Sequence, residues 1–448
     1  MTAPPFPRLV VPPVGNGRIQ DAFPMFAGGG GTITTAPSEE PAYVERELLV
    51  TGTANVYRYG ASTDELVVAD TDREYTTRLI LRHPADLAAC SGTLVLEIAH
   101  PEIGVGPLWP WAGPYLRAAG DAHAIVTTRR NNQAYGTTTP ISNLLDFDPE
   151  RYAAIDFEEG GLSWDIVAQV AALLRSDDES NPLAATGITQ VVCGGYSGAG
   201  AYTLMYLKNF HDRWRRPDGS PLMDAYFVGE PSWYQQISTL DDRLPSDQGV
   251  PADLDVPAIS LYTGPQLWMD HAIGRGTDRV RPDRDGDRRG YRTYEIAGGA
   301  HANGPGCGLP ASDLRLDHVF RLCLDHLKHW SAGDRVAPHG DRVAVDDSLV
   351  AEGRSPRPQR DEHGNPLGGL RSTFVDVPRA RYRVCRETNS GVMEPFSEAT
   401  MVELYGTSAA YVDAVRARAA SLVAEGWLLA SDADEVIAMA EAVEGFGE

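Results

Sequence analysis

Residues 189–207 read TQVVCGGYSGAGAYTLMYL, and this order of residue types predicts a sharp turn from a strand into a helix. The first five residues are mainly apolar and β-branched, as in a buried strand, and the residues after Gly200 are typical of a helix. Between them, Ser197 has Gly195 two residues before it and Ala199 two residues after it. A strand that turns at once into a helix brings these two neighbours together, so only small side chains fit.

Such a turn exposes the serine oxygen at the carboxyl end of the sheet and directs free N–H groups of the helix start toward developing negative charge. We therefore interpret the stretch as a nucleophile elbow with Ser197 as the nucleophile. The oxyanion hole is predicted to use the backbone N–H of Gly198 and a second donor near Ala99 or His100, in the loop after strand 92–99.

A serine hydroxyl is a weak nucleophile near neutral pH, so this chemistry requires a general base. Residues 291–301 read YRTYEIAGGAH, a β-branched and aromatic strand that ends in a glycine-rich turn and a histidine. His301 follows Ser197 in the chain and lies after the last predicted strand, which is the position that an α/β-hydrolase arrangement requires. The other ten histidines lack this placement, and His301 is the predicted base.

Strand and helix patterns alternate along most of the chain and predict an α/β fold with a doubly wound, mainly parallel sheet. Alternating polar and apolar residues at 43–57 indicate antiparallel strands at the N-terminal side. We predict a single catalytic domain with three parts: an N-terminal extension at 1–40, an α/β-hydrolase core at 41–331, and an excursion with two closing helices at 332–448. The excursion is predicted to include a cover.

The chain has 448 residues and a formal charge of -23, from 62 acidic and 39 basic residues. Nucleic acids and anionic membranes carry charge of the same sign, so neither is a predicted partner. A small, neutral or apolar ligand is expected instead. The oligomeric state is left open.

The five cysteines are scattered and include no C-x-x-C pair, so neither a zinc site nor a dense disulfide framework is predicted. We expect reduced thiols, no metal and no cofactor. No basic stretch followed by an apolar segment opens the sequence, and no run of eighteen apolar residues occurs in it. These features together predict a soluble, cytoplasmic protein.

Several further motifs extend over nearly the whole chain. They are YVERE at 43–47, GTANVY at 52–57, DPERY at 148–152, DIVAQ at 165–169, AGGAH at 297–301, GNPLGGLR at 364–371, VDVP at 375–378 and GWLL at 426–429. With the elbow, they resemble the α/β-hydrolase domain-containing family of bacterial proteins, which are serine carboxylesterase-like. The resemblance implies the α/β-hydrolase fold and hydrolase chemistry, but no particular substrate.

One departure from this family concerns the acid of the catalytic triad. The family carries an acidic residue just after the strand that reads VPAISLYTGPQLW at 256–268, whereas this chain has no acid there. A carboxylate is needed to orient the histidine, and this fold can also place it after the preceding strand, where Glu230 lies. We favour Glu230, with Asp270 as the alternative, and an arrangement without a functional acid stays open.

Aromatic residues follow several predicted strands at the end of the sheet where α/β proteins bind ligands. The predicted substrate-binding residues are Trp109, Trp111, Tyr196, Trp233 and Trp268. The hypothesis is a serine hydrolase that cleaves an ester or lactone of a small, largely apolar substrate through an acyl-enzyme. Two alternatives are a non-catalytic binding protein on a hydrolase scaffold and an acyltransferase that uses the same residues.

Overall fold

The computed structural model describes residues 3–13, 43–101, 106–128, 148–156, 159–231, 236–245, 249–264, 282–346, 348 and 356–447. The chain divides into two compact units. The first unit comprises Met1–Ala258, Asp285–Tyr291 and Leu327–Val336, and the second comprises Ile259–Arg284, Arg292–His326 and Ala337–Glu448. The division at 40 and 331 expected from the sequence stays a prediction.

Seven strands form the sheet of the first unit: β1 (Arg8–Val10), β2 (Tyr43–Tyr59), β3 (Leu66–Pro84), β4 (Thr93–Ile98), β5 (Ala122–Val126), β6 (Gln190–Tyr196) and β7 (Ala225–Gly229). Their order is β1-β2-β3-β5-β4-β6-β7. After β7, the same sheet continues with β8 (Pro257–Tyr262) and then β9 (Gly290–Glu295). Both of these strands begin in the first unit. Strands β1 to β3 are antiparallel, whereas β4 pairs in parallel with β5 and β6, and β6 with β7. The predicted fold class is therefore confirmed.

Strand β4 lies in the middle of this sheet. All six of its residues are buried, which fits a parallel strand covered on both faces. Three helices of the first unit are α1 (Leu108–Ala119), α2 (Ser163–Leu174) and α3 (Gly198–Asn209). Trp164 of α2 stacks on Tyr202 of α3 at 5.3 Å between ring centroids and on Phe210 at 5.2 Å, so aromatic packing fixes α2 against α3.

The second unit contains smaller sheets and several helices. Its strands are β10 (Ala302–Asn303), β11 (Val345–Asp346), β12 (Arg357–Pro358), β13 (Ala380–Cys385) and β14 (Ser390–Pro395). Its helices are α5 (Thr373–Asp376), α6 (Glu398–Tyr405), α7 (Ser408–Glu425) and α8 (Ala430–Glu441), and α4 (Leu316–Ala332) begins in it. The last two helices, α7 and α8, are the two closing helices that the sequence predicted. No helix in the described parts of the chain is both long and apolar enough to cross a membrane.

A disulfide in the second unit corrects one expectation. Cys307 is bonded to Cys385, whereas Cys90, Cys193 and Cys323 are free thiols. The expectation of reduced thiols throughout was therefore wrong. Disulfides persist mainly in oxidising compartments, so this bond gives no support to the cytoplasmic location, which stays a prediction.

Candidate active site

Ser197 occupies a strained turn between β6 and α3. Its φ is 59° and its ψ is -124°, a conformation that residues other than glycine rarely adopt. The backbone hydrogen bonds hold it there: the Ser197 N–H donates to the Gly229 carbonyl at 2.9 Å, and the Ser197 carbonyl accepts from the Ala201 N–H at 3.0 Å. The elbow therefore depends on both the neighbouring strand and the first turn of α3.

Close backbone packing around this turn explains its small residues. A Cβ atom placed on Gly195 would lie 2.6 Å from the carbonyl carbon of Ala199. One placed on Gly200 would lie 2.1 Å from the Gly229 carbonyl oxygen. Real Cβ atoms do not approach so closely, so the strand, the turn and the helix can meet only if these positions lack a side chain.

The predicted oxyanion donors are already engaged. The Gly198 N–H donates to Nε2 of His100 at 3.3 Å, which makes Nε2 an acceptor and places the hydrogen of a neutral imidazole on Nδ1. The Ala99 N–H donates to the Val126 carbonyl at 2.9 Å and belongs to the sheet. The role predicted for Ala99 as an N–H donor is therefore contradicted. The remaining candidate donors of the oxyanion hole are the backbone N–H groups of Gly198 and His100.

Glu230 follows β7 directly, and β7 pairs in parallel with β6 so that Gly229 is opposite Tyr196. The register places Glu230 at the same edge of the sheet as Ser197. Glu230 is buried, with a φ of 37°, and its Oε2 accepts a hydrogen bond from the Tyr196 hydroxyl at 2.5 Å. Burial and the nearby Glu230 carboxylate raise the pKa of Tyr196 well above its ordinary value, so the phenol stays a donor.

His301 belongs to the second unit, where structure on both sides of it restrains its loop. Before it, the Gly299 carbonyl accepts from the Gly264 N–H at 2.9 Å. After it, β10 pairs in parallel with β14, and Nδ2 of Asn303 donates to the Leu314 carbonyl at 2.7 Å. The Cys307–Cys385 disulfide joins the same segment to the end of β13. His301 is half-buried, which leaves its ring partly accessible.

A comparison with protein-family models matches residues 22–438 to the alpha/beta hydrolase domain. The chain belongs to this family. The match covers nearly the whole sequence, including the elbow, Glu230 and the His301 loop. It confirms the resemblance found in the sequence motifs.

No curated protein matches this chain. Among solved structures, it is similar to a glucuronoyl esterase from Teredinibacter turnerae, with 10% identity, 58% of this chain and 72% of that chain covered, and a TM-score of 0.32. It is also similar to a dienelactone hydrolase from Anabaena variabilis, with 14% identity, 55% and 86% covered, and a TM-score of 0.28. At sequence identities this low, neither similarity identifies a substrate.

The aromatic residues predicted for substrate binding have different surroundings. The ring of Trp111 lies 5.5 Å from that of Tyr196, edge to face, and Tyr196 directly precedes Ser197. Trp109 instead packs in the interior, with the Arg82 guanidinium 4.8 Å from its ring centre and the His123 ring at 5.4 Å. The substrate contact predicted for Trp109 stays a prediction. Three other predicted residues lie outside the described residues: Trp233, Trp268 and Asp270.

A buried chain of hydrogen-bonded polar groups next to the elbow was not predicted from the sequence. Oε1 of Glu97, in β4, accepts the Leu108 N–H at 3.0 Å, and its Oε2 lies 3.0 Å from Nε2 of His123. Nη1 of Arg82 donates to Nδ1 of His123 at 3.1 Å, and its Nε donates to Glu45 at 2.7 Å. Because arginine only donates, Nδ1 accepts and the hydrogen of the neutral imidazole lies on Nε2, facing Glu97.

This chain of contacts fixes both ends of the loop between β4 and α1, which carries His100. Glu97 is at the end of the strand, and the Leu108 N–H that it binds opens the helix. Burial raises the pKa of Glu97 to about 8, against its ordinary value near 4.5. The sequence signal was a lone carboxylate in the apolar strand TLVLEI, since an unpaired buried carboxylate is rarely tolerated.

Proposed function

We propose that this protein is a serine hydrolase that cleaves a carboxylic ester or lactone through an acyl-enzyme. The observation that carries the proposal is the backbone of Ser197, held at a φ of 59° between β6 and α3. Strain of this kind costs about 1–3 kcal/mol and persists where the surrounding structure enforces it, which is typical of functional positions. The family membership supports the same chemistry.

In the proposed reaction, Oγ of Ser197 attacks the carbonyl carbon of the substrate while His301 takes the hydroxyl proton. The tetrahedral intermediate then collapses: the bond to the alcohol oxygen breaks, and His301 returns the proton to the leaving alcohol. A water molecule attacks the acyl-enzyme by the same sequence, which releases the carboxylic acid and restores Ser197. For a lactone, the acid and the alcohol remain in one product.

The proposed acid is Glu230, whose carboxylate would orient His301 and stabilise the imidazolium that forms. Its location after β7, its burial and the Tyr196 hydrogen bond support this role. The proposed oxyanion hole uses the Gly198 N–H. Substrate binding requires the carbonyl oxygen to replace Nε2 of His100 as the acceptor of that N–H, since both occupy the same direction.

A fluorophosphonate probe tests the proposal because it reacts with activated serines. We expect one adduct, on Ser197, that is absent in Ser197→Ala and formed more slowly in Glu230→Gln. Ser180→Ala is the matched control, because Ser180 is an exposed serine in a turn and bonds to Asp178 at 2.6 Å. This variant should label like the wild type. Peptide mass spectrometry locates the adduct.

Two results would redirect the assignment. A folded wild type that forms no adduct on Ser197 would contradict the hydrolase proposal and favour a non-catalytic binding protein. An adduct on Ser197 with acyl transfer to added alcohols in preference to water would favour the acyltransferase alternative, because both activities share the acyl-enzyme.

A further inference from the structure

The second unit contains a cavity of about 580 Å³ at the carboxyl ends of β8 and β9. Thr263 and Gly264 line it after β8, and Gly298 and Gly299 line it after β9. Cavities that bind small molecules commonly measure about 300–1,000 Å³. The cavity is therefore large enough for a small organic ligand, and its wall includes the turn that leads to His301.

Positive charge is concentrated around this cavity. Four arginines line it: Arg357, Arg360, Arg383 and Arg386. Among the described residues that line the cavity, one is acidic, Glu295. Glu295 is buried, and its Oε2 accepts the Val343 N–H at 2.8 Å. The chain as a whole carries a formal charge of -23, so an arginine cluster of this kind is a local exception to its charge balance.

At least one carboxylate near the cavity is shared between arginines. Arg383 contacts Glu394 at 3.0 Å, but Glu394 also lies 3.7 Å from Arg381, so one carboxylate serves two guanidinium groups. Nε of Arg383 is buried and has no acceptor among the described residues. Arg360 is exposed, and its Nη1 donates to the Gly364 carbonyl at 2.6 Å. Partial loss of solvent, followed by the like charge of Arg383, lowers its pKa against the charges of Glu394 and Asp361. An anion placed between Arg360 and Arg383 would relieve this repulsion.

The remaining wall is largely apolar and includes Ile296, Val343, Pro358 and Val384. A small inorganic anion would leave this apolar surface in contact with water, whereas an organic acid would cover it. Guanidinium groups bind carboxylates with two parallel hydrogen bonds, which gives both affinity and orientation. The cavity thus combines an apolar wall with guanidinium donors for one charged group.

We propose that this cavity binds a small organic carboxylate, with its apolar body against Ile296 and Val384 and its charged group between Arg360 and Arg383. Such a carboxylate has two possible sources. It is a free acid group of the substrate, which rests on the hydrolase function proposed above, or it is a separate effector. The chemistry of recognition is the same in both cases, and kinetics separate them.

Binding is measured first in the full-length Ser197→Ala protein, so that the result does not depend on turnover. Calorimetric titration with 4-phenylbutyrate should give saturable binding, and its uncharged amide should bind at least tenfold more weakly. The double variant Arg360→Gln/Arg383→Gln should lose at least tenfold in affinity for the acid. Arg416→Gln is the matched control, because Arg416 is an exposed arginine in α7 and is not among the cavity residues; the affinity of this variant for the acid should stay within twofold.

Equal binding of the acid and the amide, or equal affinity in the double variant and the wild type, would overturn the proposal. Circular dichroism checks that the double variant is folded. If it is not, Arg386→Gln replaces it, since Arg386 is an exposed residue of the cavity wall. That variant should bind the acid severalfold more weakly, and unchanged binding would overturn the proposal in the same way.

Kinetics of the wild type with two p-nitrophenyl esters then identify the source of the carboxylate. A substrate group predicts a kcat/KM at least tenfold higher for the anionic monoester of adipic acid than for the neutral hexanoate, and loss of this preference in the double variant. An effector predicts no preference, but a change in hexanoate turnover when 4-phenylbutyrate is added. Binding without turnover of either ester would contradict the hydrolase proposal and leave the carboxylate site supported.

Discussion

The Tyr196 hydroxyl donates a hydrogen bond to Oε2 of Glu230 over 2.5 Å, so the residue before Ser197 holds the carboxylate that follows the neighbouring strand. Both side chains are buried. A charge-assisted hydrogen bond in such surroundings is stronger than one between neutral groups, and it fixes the direction of the carboxylate. We therefore propose that Tyr196 positions Glu230, and the substrate contact expected from the sequence stays a prediction.

If Glu230 is the triad acid, Glu230→Gln lowers kcat by about 10³–10⁴, since the amide no longer stabilises the imidazolium. Tyr196→Phe keeps the carboxylate and removes one hydrogen bond to a charged group, so we expect a loss of about tenfold in kcat with little change in KM. Steady-state hydrolysis of a p-nitrophenyl ester measures both. Wild-type kcat in Glu230→Gln would exclude Glu230 and favour Asp270.

The backbone packing at the elbow predicts opposite effects for two helical glycines. Gly200→Ala brings a Cβ atom to 2.1 Å from the Gly229 carbonyl oxygen and should reduce the free energy of unfolding by about 3 kcal/mol or more. Gly113→Ala in α1 is the matched control, because its Cβ would meet its nearest neighbour at 3.6 Å. Alanine is favoured over glycine in a helix, so this variant should gain up to about 1 kcal/mol. Urea unfolding of the two proteins checks both values, and similar effects would contradict the packing argument.

The elbow could be predicted from the sequence because its determinants are local. A strand, a turn of small residues and a helix follow one another at 189–207, and β6 and α3 were found there. The histidine loop was predictable for the same reason, since its glycines and His301 directly follow the β9 strand. In both cases the residues that define the feature are adjacent in the chain.

The features that the sequence did not predict depend on residues far apart in the chain. Tyr196 and Glu230 are brought together by the parallel register of β6 and β7, which periodicity does not specify. The Ala99 N–H is taken by the β5 strand, which follows more than twenty residues later. Strands β13 and β14 lie in the excursion predicted at 332–448, for which the sequence indicated no strands, and their hairpin places Cys385 next to Cys307.

Reduction of the Cys307–Cys385 disulfide should destabilise the second unit and slow turnover. The bond joins residues 78 apart, and opening a loop of this length is expected to cost about 2–4 kcal/mol of stability. Since the His301 loop continues directly into Cys307, we also expect kcat to fall severalfold. Cys307→Ser/Cys385→Ser mimics reduction, and Cys90→Ser is the control because Cys90 is a free, half-buried thiol. Thermal unfolding and ester hydrolysis with and without dithiothreitol measure the two effects; a double variant that matches the control in both would refute this role.

Glu97 predicts how stability changes with pH. Burial raises the pKa of Glu97 to about 8 in the folded protein, against a value near 4.5 in the unfolded chain. Between these values the folded state binds one proton more, so raising the pH favours unfolding, by up to about 1.4 kcal/mol per pH unit. The stability that the protonated carboxyl contributes is complete below pH 4.5 and is lost as the pH rises through 8.

Glu97→Gln removes this titration and keeps one oxygen to accept the Leu108 N–H, while its amide nitrogen replaces the oxygen that faces His123. We expect the free energy of unfolding of the wild type to fall relative to that of the variant at each step from pH 5 to pH 8. His123 is shifted in the opposite direction: burial and Arg82 hold its pKa well below the ordinary value, so its contribution is lost as the pH falls below about 6.5. Above this pH His123 is neutral in both the folded and the unfolded state, so there the difference between the two proteins isolates Glu97. Urea unfolding at four pH values measures it, and parallel curves would show that Glu97 does not titrate in this range.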